Sequence, residues 1–133
     1  MKDKIHIPNK EGFKHDSDFR VKYRFYTRKE GGRVSVPHQG IKSDFWYEHD
    51  NHTMDGMFII HPEFEDAEGK VIEQGPVLEE GFATMWILNP YLRKYHQERI
   101  KIGALGYFME GGLRTAICEV VEIIDLMSNP TSF

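Results

Sequence analysis

One stretch constrains the fold more than any other. From residue 19 to residue 25 the chain alternates strictly: Phe19, Val21, Tyr23 and Phe25 interleave with Arg20, Lys22 and Arg24. A period of two is the period of a pleated strand, so four large apolar side chains share one face and three cations the other. Such a strand needs a core on one side and water on the other, which an antiparallel sheet provides. Shorter segments repeat the signal, cut by glycine and proline. Lys29-Glu30-Gly31-Gly32 closes the first strand, and Phe45-Trp46-Tyr47 has strong strand propensity. Met57 to Ile60 is an apolar run that Pro62 is expected to end. Residues 63 to 70 read as an acidic loop and turn. Val71-Ile72 reads as a short strand before Gly75-Pro76. Phe82 to Leu88 is a strand apolar on both faces, closed by Asn89-Pro90. Tyr107 to Met109 runs into the tight connection Glu110-Gly111-Gly112. Arg114 to Leu126 is the last long strand, and its alternation breaks at Val120-Val121, which predicts a bulge. Arg99 to Ile102 reads as a short strand, but Tyr91, Leu92, Tyr95, Arg99 and Ile102 also have roughly helical spacing. Both readings stay open there.

Many short strands with regular punctuation point to an all-β sandwich or small barrel. The length, 133 residues, fits one domain. Its expected parts are a flexible polar leader at 1–17, with Phe13 resting on the barrel, a barrel at 18–127 and a tail at 128–133. The formal net charge is −4, so any contact with nucleic acid must come from a local patch of cations. The single cysteine, Cys118, cannot form an intramolecular disulfide. The polar start lacks a signal-peptide core and no apolar run approaches membrane-spanning length. A cytoplasmic protein away from membranes is the expectation.

Several strings also stand in a telling order. Lys29-Glu30-Gly31-Gly32-Arg33 is followed by Gly40-Ile41-Lys42-Ser43-Asp44-Phe45-Trp46-Tyr47, then by Leu88-Asn89-Pro90. Gly103 precedes Glu110-Gly111-Gly112 by seven residues, and Arg114-Thr115 and Val120-Val121 come next. This ordered set, spanning about residues 19 to 125, resembles the third, C-terminal β-barrel domain of elongation factor Tu. The resemblance implies a six-stranded antiparallel Greek-key barrel. It also implies contact with the T stem of tRNA through the positions of Arg33, Glu110 and Gly111. The chain departs from the family at Asn89, Asp44 and Glu48, where the family has lysine or a similar polar residue, glutamine and arginine. It carries insertions at 49–55 and 91–98. Gly-x-x-x-x-Gly-Lys-Ser/Thr is absent, so neither GTP binding nor GTP hydrolysis is expected.

The functional expectation is a non-enzymatic, translation-related module that binds tRNA or another RNA through Arg33, Glu110 and Gly111. The alternative is a protein-interaction module: a homodimer, or a decoy or immunity-type mimic of the elongation factor, with no role on RNA. Its interface would be the two-sided strand at Met85, Trp86 and Ile87, because exposed apolar surface of that size marks a partner site. A second RNA candidate is the cationic face of Arg20, Lys22, Arg24 and Arg28, with Tyr26 as a stacking residue. His49, Asp50 and His52, with His38 and His61, match no metal motif, so neither metal nor cofactor is expected. Cys118 falls mid-strand in an apolar stretch, where cysteine behaves as a small hydrophobe and not as a nucleophile.

Overall fold

The computed structural model describes residues 5–48 and 57–133. Six antiparallel strands curl into a half-barrel: β1 (Phe19–Phe25), β2 (Asp44–Tyr47), β3 (Ile60–Phe64), β4 (Glu80–Ile87), β5 (Leu105–Glu110) and β6 (Leu113–Ile123). Their spatial order is β2-β5-β6-β1-β4-β3. The alternating strand β1 takes the central role its pattern demands. It pairs with β6 on one side and β4 on the other, with Phe19, Val21, Tyr23 and Phe25 all buried. Around Tyr23 the rings of Phe25, Phe64 and Phe108 pack at centroid distances of 5.1–5.8 Å. The edge strands β2 and β3 approach where Phe45 and Phe58 exchange both backbone hydrogen bonds, at 2.8 and 2.9 Å.

Close packing dictates one glycine. A Cβ on Gly106 would lie 2.4 Å from Phe45 Cζ, so β5 can cross β2 there only without a side chain. The predicted bulge is present: Val21 pairs with Val120 but Arg20 with Glu122, which leaves Val121 as the extra residue of β6.

Two expectations are corrected, at Pro62 and at Val71-Ile72, and the open reading of 91–102 falls to the helix. Pro62 does not end a strand, because β3 runs through it to Phe64. A proline fits here since β3 is an edge strand, where a missing N–H interrupts no ladder on the open side. Arg99 to Ile102 is not a strand. Asn89 caps a 3-10 turn at Pro90–Leu92, and helix α2 (Arg93–Arg99) follows. Val71-Ile72 forms no strand, only an isolated bridge between Glu65 and Val71.

Both terminal segments belong to the packed body. Short helix α1 (Asn9–Phe13) lies over the outer face of β3 and β4. There Glu63, nearly fully buried, meets His6 Nε2 at 2.5 Å and accepts a hydrogen bond from the Asn9 N–H at 2.7 Å. Asn129 is buried and donates to Asp16 O and to Asp18 Oδ1. His6, Asn9 and Asn129 thus tie parts of the two terminal segments to the barrel. No helix among the described residues is long and apolar enough to cross a membrane.

Candidate nucleic-acid interface

The site builds outward from the end of β1. Thr27 and Glu30 form a reciprocal cap: the Thr27 N–H donates to Glu30 Oε1 at 2.8 Å, and the Glu30 N–H donates to Thr27 Oγ1 at 3.3 Å. Arg24 donates to both carboxylate oxygens of Glu30, at 2.9 and 3.3 Å. These Arg24 bonds, and then the Thr27 N–H, hold the Glu30 carboxyl down at about 2. Gly31 turns the chain with φ +91°. Gly32 then passes so close to Tyr26 that a Cβ would sit 2.3 Å from its carbonyl oxygen. The turn Lys29-Glu30-Gly31-Gly32 thereby folds back over Tyr26 and delivers Arg33.

Arg33 forms an ion pair with Glu110, 77 residues further along the chain, and donates from Nε to Ser35 O at 3.1 Å. Glu110 is the last residue of β5. Gly111, with φ +59°, opens the connection to β6. The three residues singled out by the resemblance therefore converge at one end of the barrel. About 30% of each charged side chain remains open to solvent, which leaves the pair accessible to a ligand but fixed in orientation.

Strand register places an aromatic and cationic surface beside them. On the outer face, Arg24 of β1 is level with Ile117 of β6, Ile117 with Tyr107 of β5, and Tyr107 with Trp46 of β2. Arg114 stacks its guanidinium on Tyr107 at 3.8 Å from the ring centre and lies 5.9 Å from the Trp46 ring. Arg24 lies 5.4 Å from the centre of the Tyr26 ring. Tyr26, Trp46 and Arg114 line a depression of about 550 Å³. Tyr26 also borders a second one of about 190 Å³, beside Arg28 and Arg33. The sequence offered Tyr26 as a stacking residue. It did not offer Trp46, Tyr107 or Arg114, whose alignment depends on register across three strands.

The cationic face of β1 is matched along its length. Arg20 forks onto Glu65 with two bonds of 2.8 Å and lies 4.1 Å over the Phe82 ring. Lys22 stands opposite Glu119. Arg24, forked onto Glu30, also stands opposite Glu80, so all three cations of β1 face carboxylates of the same chain.

The strand β4 is covered on both faces by its own chain. Met85 and Ile87 point into the core, and Trp86 lies beneath Phe13 and His15 at centroid distances of 5.6 and 6.0 Å. None of Met85, Trp86 and Ile87 is more than 4% exposed. The expected interface is corrected accordingly: these residues are core and leader contacts, not an open surface. His49, Asp50 and His52 lie outside the described residues. Among the described residues no group of three or more His, Cys, Asp or Glu could hold a metal ion. Cys118 is buried, and burial pushes its thiol pKa up, which makes it a poor nucleophile.

No protein-family model and no curated protein matches this chain.

Proposed function

We propose that this chain is a non-enzymatic RNA-binding β-barrel module of translation that holds an RNA stem, such as that of tRNA, against Arg33, Glu110 and Gly111. One observation carries the reading: residues far apart in sequence, picked out by their resemblance to a T-stem-contacting turn, meet at one end of the barrel. Arg33 supplies the charge for a phosphate. Glu110 orients it, and the Gly111 turn lets the backbone approach closely. Contacts of this kind read the shape of a stem and not its sequence. Their affinity must fall steeply with salt, since phosphate binding releases counterions.

The test is binding of tRNA at low salt. Arg33→Ala should weaken it by about 1–3 kcal/mol, the range for a charge-assisted hydrogen bond. Glu110→Ala should also weaken it, and the double variant should lose less than the sum, because one residue acts through the other. An absence of tRNA binding at low salt removes the reading.

Docking to a protein is the second reading, and a different surface favours it. Met57, Ile59 and Leu92 line a depression of about 170 Å³ and are each at least 37% exposed. Light scattering across a concentration series, with and without Ile59→Lys, tests whether a second copy of the chain covers them. A monomer at every concentration excludes the homodimer.

A further inference from the structure

We infer that the depression between Tyr26, Trp46 and Arg114 receives one unpaired base of the bound RNA, so that the preferred ligand is a stem carrying an unpaired nucleotide and not a uniform duplex. This rests on the proposed RNA-binding function and adds to it a second contact with different chemistry.

Three observations support it. The first is the lining. Tyr26 and Trp46 present aromatic surface, Arg114 a planar cation already stacked on Tyr107, and Gly31 and Gly112 leave part of a lining that also holds Glu30, Met109 and Leu113 without side chains. Every base has a π-face, so aromatic rings and a guanidinium accept any of the four by stacking. The second is charge. Arg24, Arg28, Lys29, Arg33 and Arg114 surround the Tyr26 end, against Glu30, Glu79, Glu80 and Glu110. A chain of net charge −4 thus carries a local balance of one positive charge at this end, where phosphates flanking a base would need it. The third is position. Tyr26 borders both this depression and the smaller one containing Arg33. A base seated on the first surface therefore belongs to a strand whose neighbouring phosphates reach the second. A volume of about 550 Å³ lies in the range of small-ligand sites, roughly 300–1,000 Å³, and is open enough to admit a base swung out from a stem.

The experiment uses two synthetic RNA hairpins of the same stem. One carries a single unpaired 2-aminopurine and the other is fully paired, with 2-aminopurine opposite uridine. Binding to the whole chain is followed by anisotropy, and stacking by 2-aminopurine fluorescence. The inference expects the hairpin with the unpaired base to bind more tightly, by about 5- to 150-fold, the range for one stacked base. It expects quenching of the unpaired probe alone. Trp46→Leu and Tyr26→Leu should each abolish that preference, bringing the two hairpins to equal affinity. Arg33→Ala should weaken both hairpins. Equal binding of the two hairpins with no quenching overturns the inference and leaves the stem-binding function standing. Binding of neither overturns both. Quenching is read on the unmodified protein and does not depend on whether a leucine variant folds.

Discussion

A single buried histidine sets how this protein should respond to acid. His96 of α2 is almost fully buried, with Nδ1 2.5 Å from the Tyr47 hydroxyl and its ring 4.7 Å from Phe58. Burial first, and then the nearby charges of Arg99 and Arg93, push its pKa down to about 4. The imidazole is therefore neutral when folded, and its short contact with the Tyr47 hydroxyl is a hydrogen bond between neutral groups. In the unfolded chain an ordinary histidine titrates near 6.5. Above that value neither state binds the proton, and His96 adds no pH dependence. Between about 6.5 and 4 only the unfolded chain binds it, so stability must fall as the pH falls through that window. The loss from His96 is about 2 kcal/mol by pH 5 and roughly 3 kcal/mol below pH 4. His61 is shifted in the same direction by burial and adds to the trend. Glu30, held at about 2, contributes only at more acidic pH. Urea unfolding at pH 7.5 and pH 5.0 measures the difference. His96→Gln, which keeps a hydrogen-bonding side chain without the proton site, should shrink it by about 2 kcal/mol. An undiminished difference would assign the acid sensitivity to other groups.

At the scale of elements, what sequence showed and what it hid divide along one physical line. The strands with period-two alternation or a hairpin connection were legible, because local pattern and tertiary burial agree there. The segment 91–99 was not, because its helical spacing is short and the Asn89 cap with Pro90 competes with an apolar strand pattern. The acidic run from Glu63 looked like a solvated loop. Two of its carboxylates are buried instead, each against a partner far away in sequence, Glu63 with His6 and Glu65 with Arg20. The two-sided apolarity of β4 did signal a covering surface, but a sequence cannot say from which direction the cover comes. The cover over Trp86 is the α1 segment. Phe13→Ala should therefore expose the Trp86 ring, shifting its tryptophan emission to the red and raising quenching by iodide. Stability should fall by about 1 kcal/mol, since Phe13 is itself 43% exposed and forfeits only part of a full aromatic burial. Trp46→Phe in the same chain isolates the signal of Trp86, the only other tryptophan. Unchanged emission would mean that α1 does not shield this face in solution.

Over the whole molecule, β1 separates two ends of opposite character. At its start, Asp18 is fully buried and accepts from Arg93 Nε at 2.8 Å, the Ile87 N–H at 2.8 Å and Asn129 Nδ2 at 3.0 Å. Arg93 also donates to Ile87 O at 3.0 Å and to Pro130 O. One buried ion pair thus ties together the entry to β1, the exit of β4, helix α2 and the C-terminal segment. At the other end of β1 lie Arg24, Tyr26 and the Arg33–Glu110 pair. Seven residues of strand hold the ends about 20 Å apart. The turn residues of the second end were legible as motifs. The first end was not, because Asp18, Arg93 and Asn129 meet only through the fold. Physics assigns the ends different work. Breaking a buried pair leaves an uncompensated charge in the interior, so Arg93→Ala should cost about 3–5 kcal/mol, a large part of the stability of a domain this size. Breaking the partly exposed Arg33–Glu110 pair should cost no more than about 1 kcal/mol. RNA affinity should show the reverse order. On the proposed function, Arg33→Ala should weaken tRNA binding, whereas Arg93→Ala, measured at a temperature where it remains folded, should leave it unchanged. Paired urea melts and tRNA titrations on the two variants check both orders at once. Weakened tRNA binding by a folded Arg93→Ala protein would show that the buried clasp and the Arg33–Glu110 end are coupled along β1, and the proposed separation of stability from binding would fail.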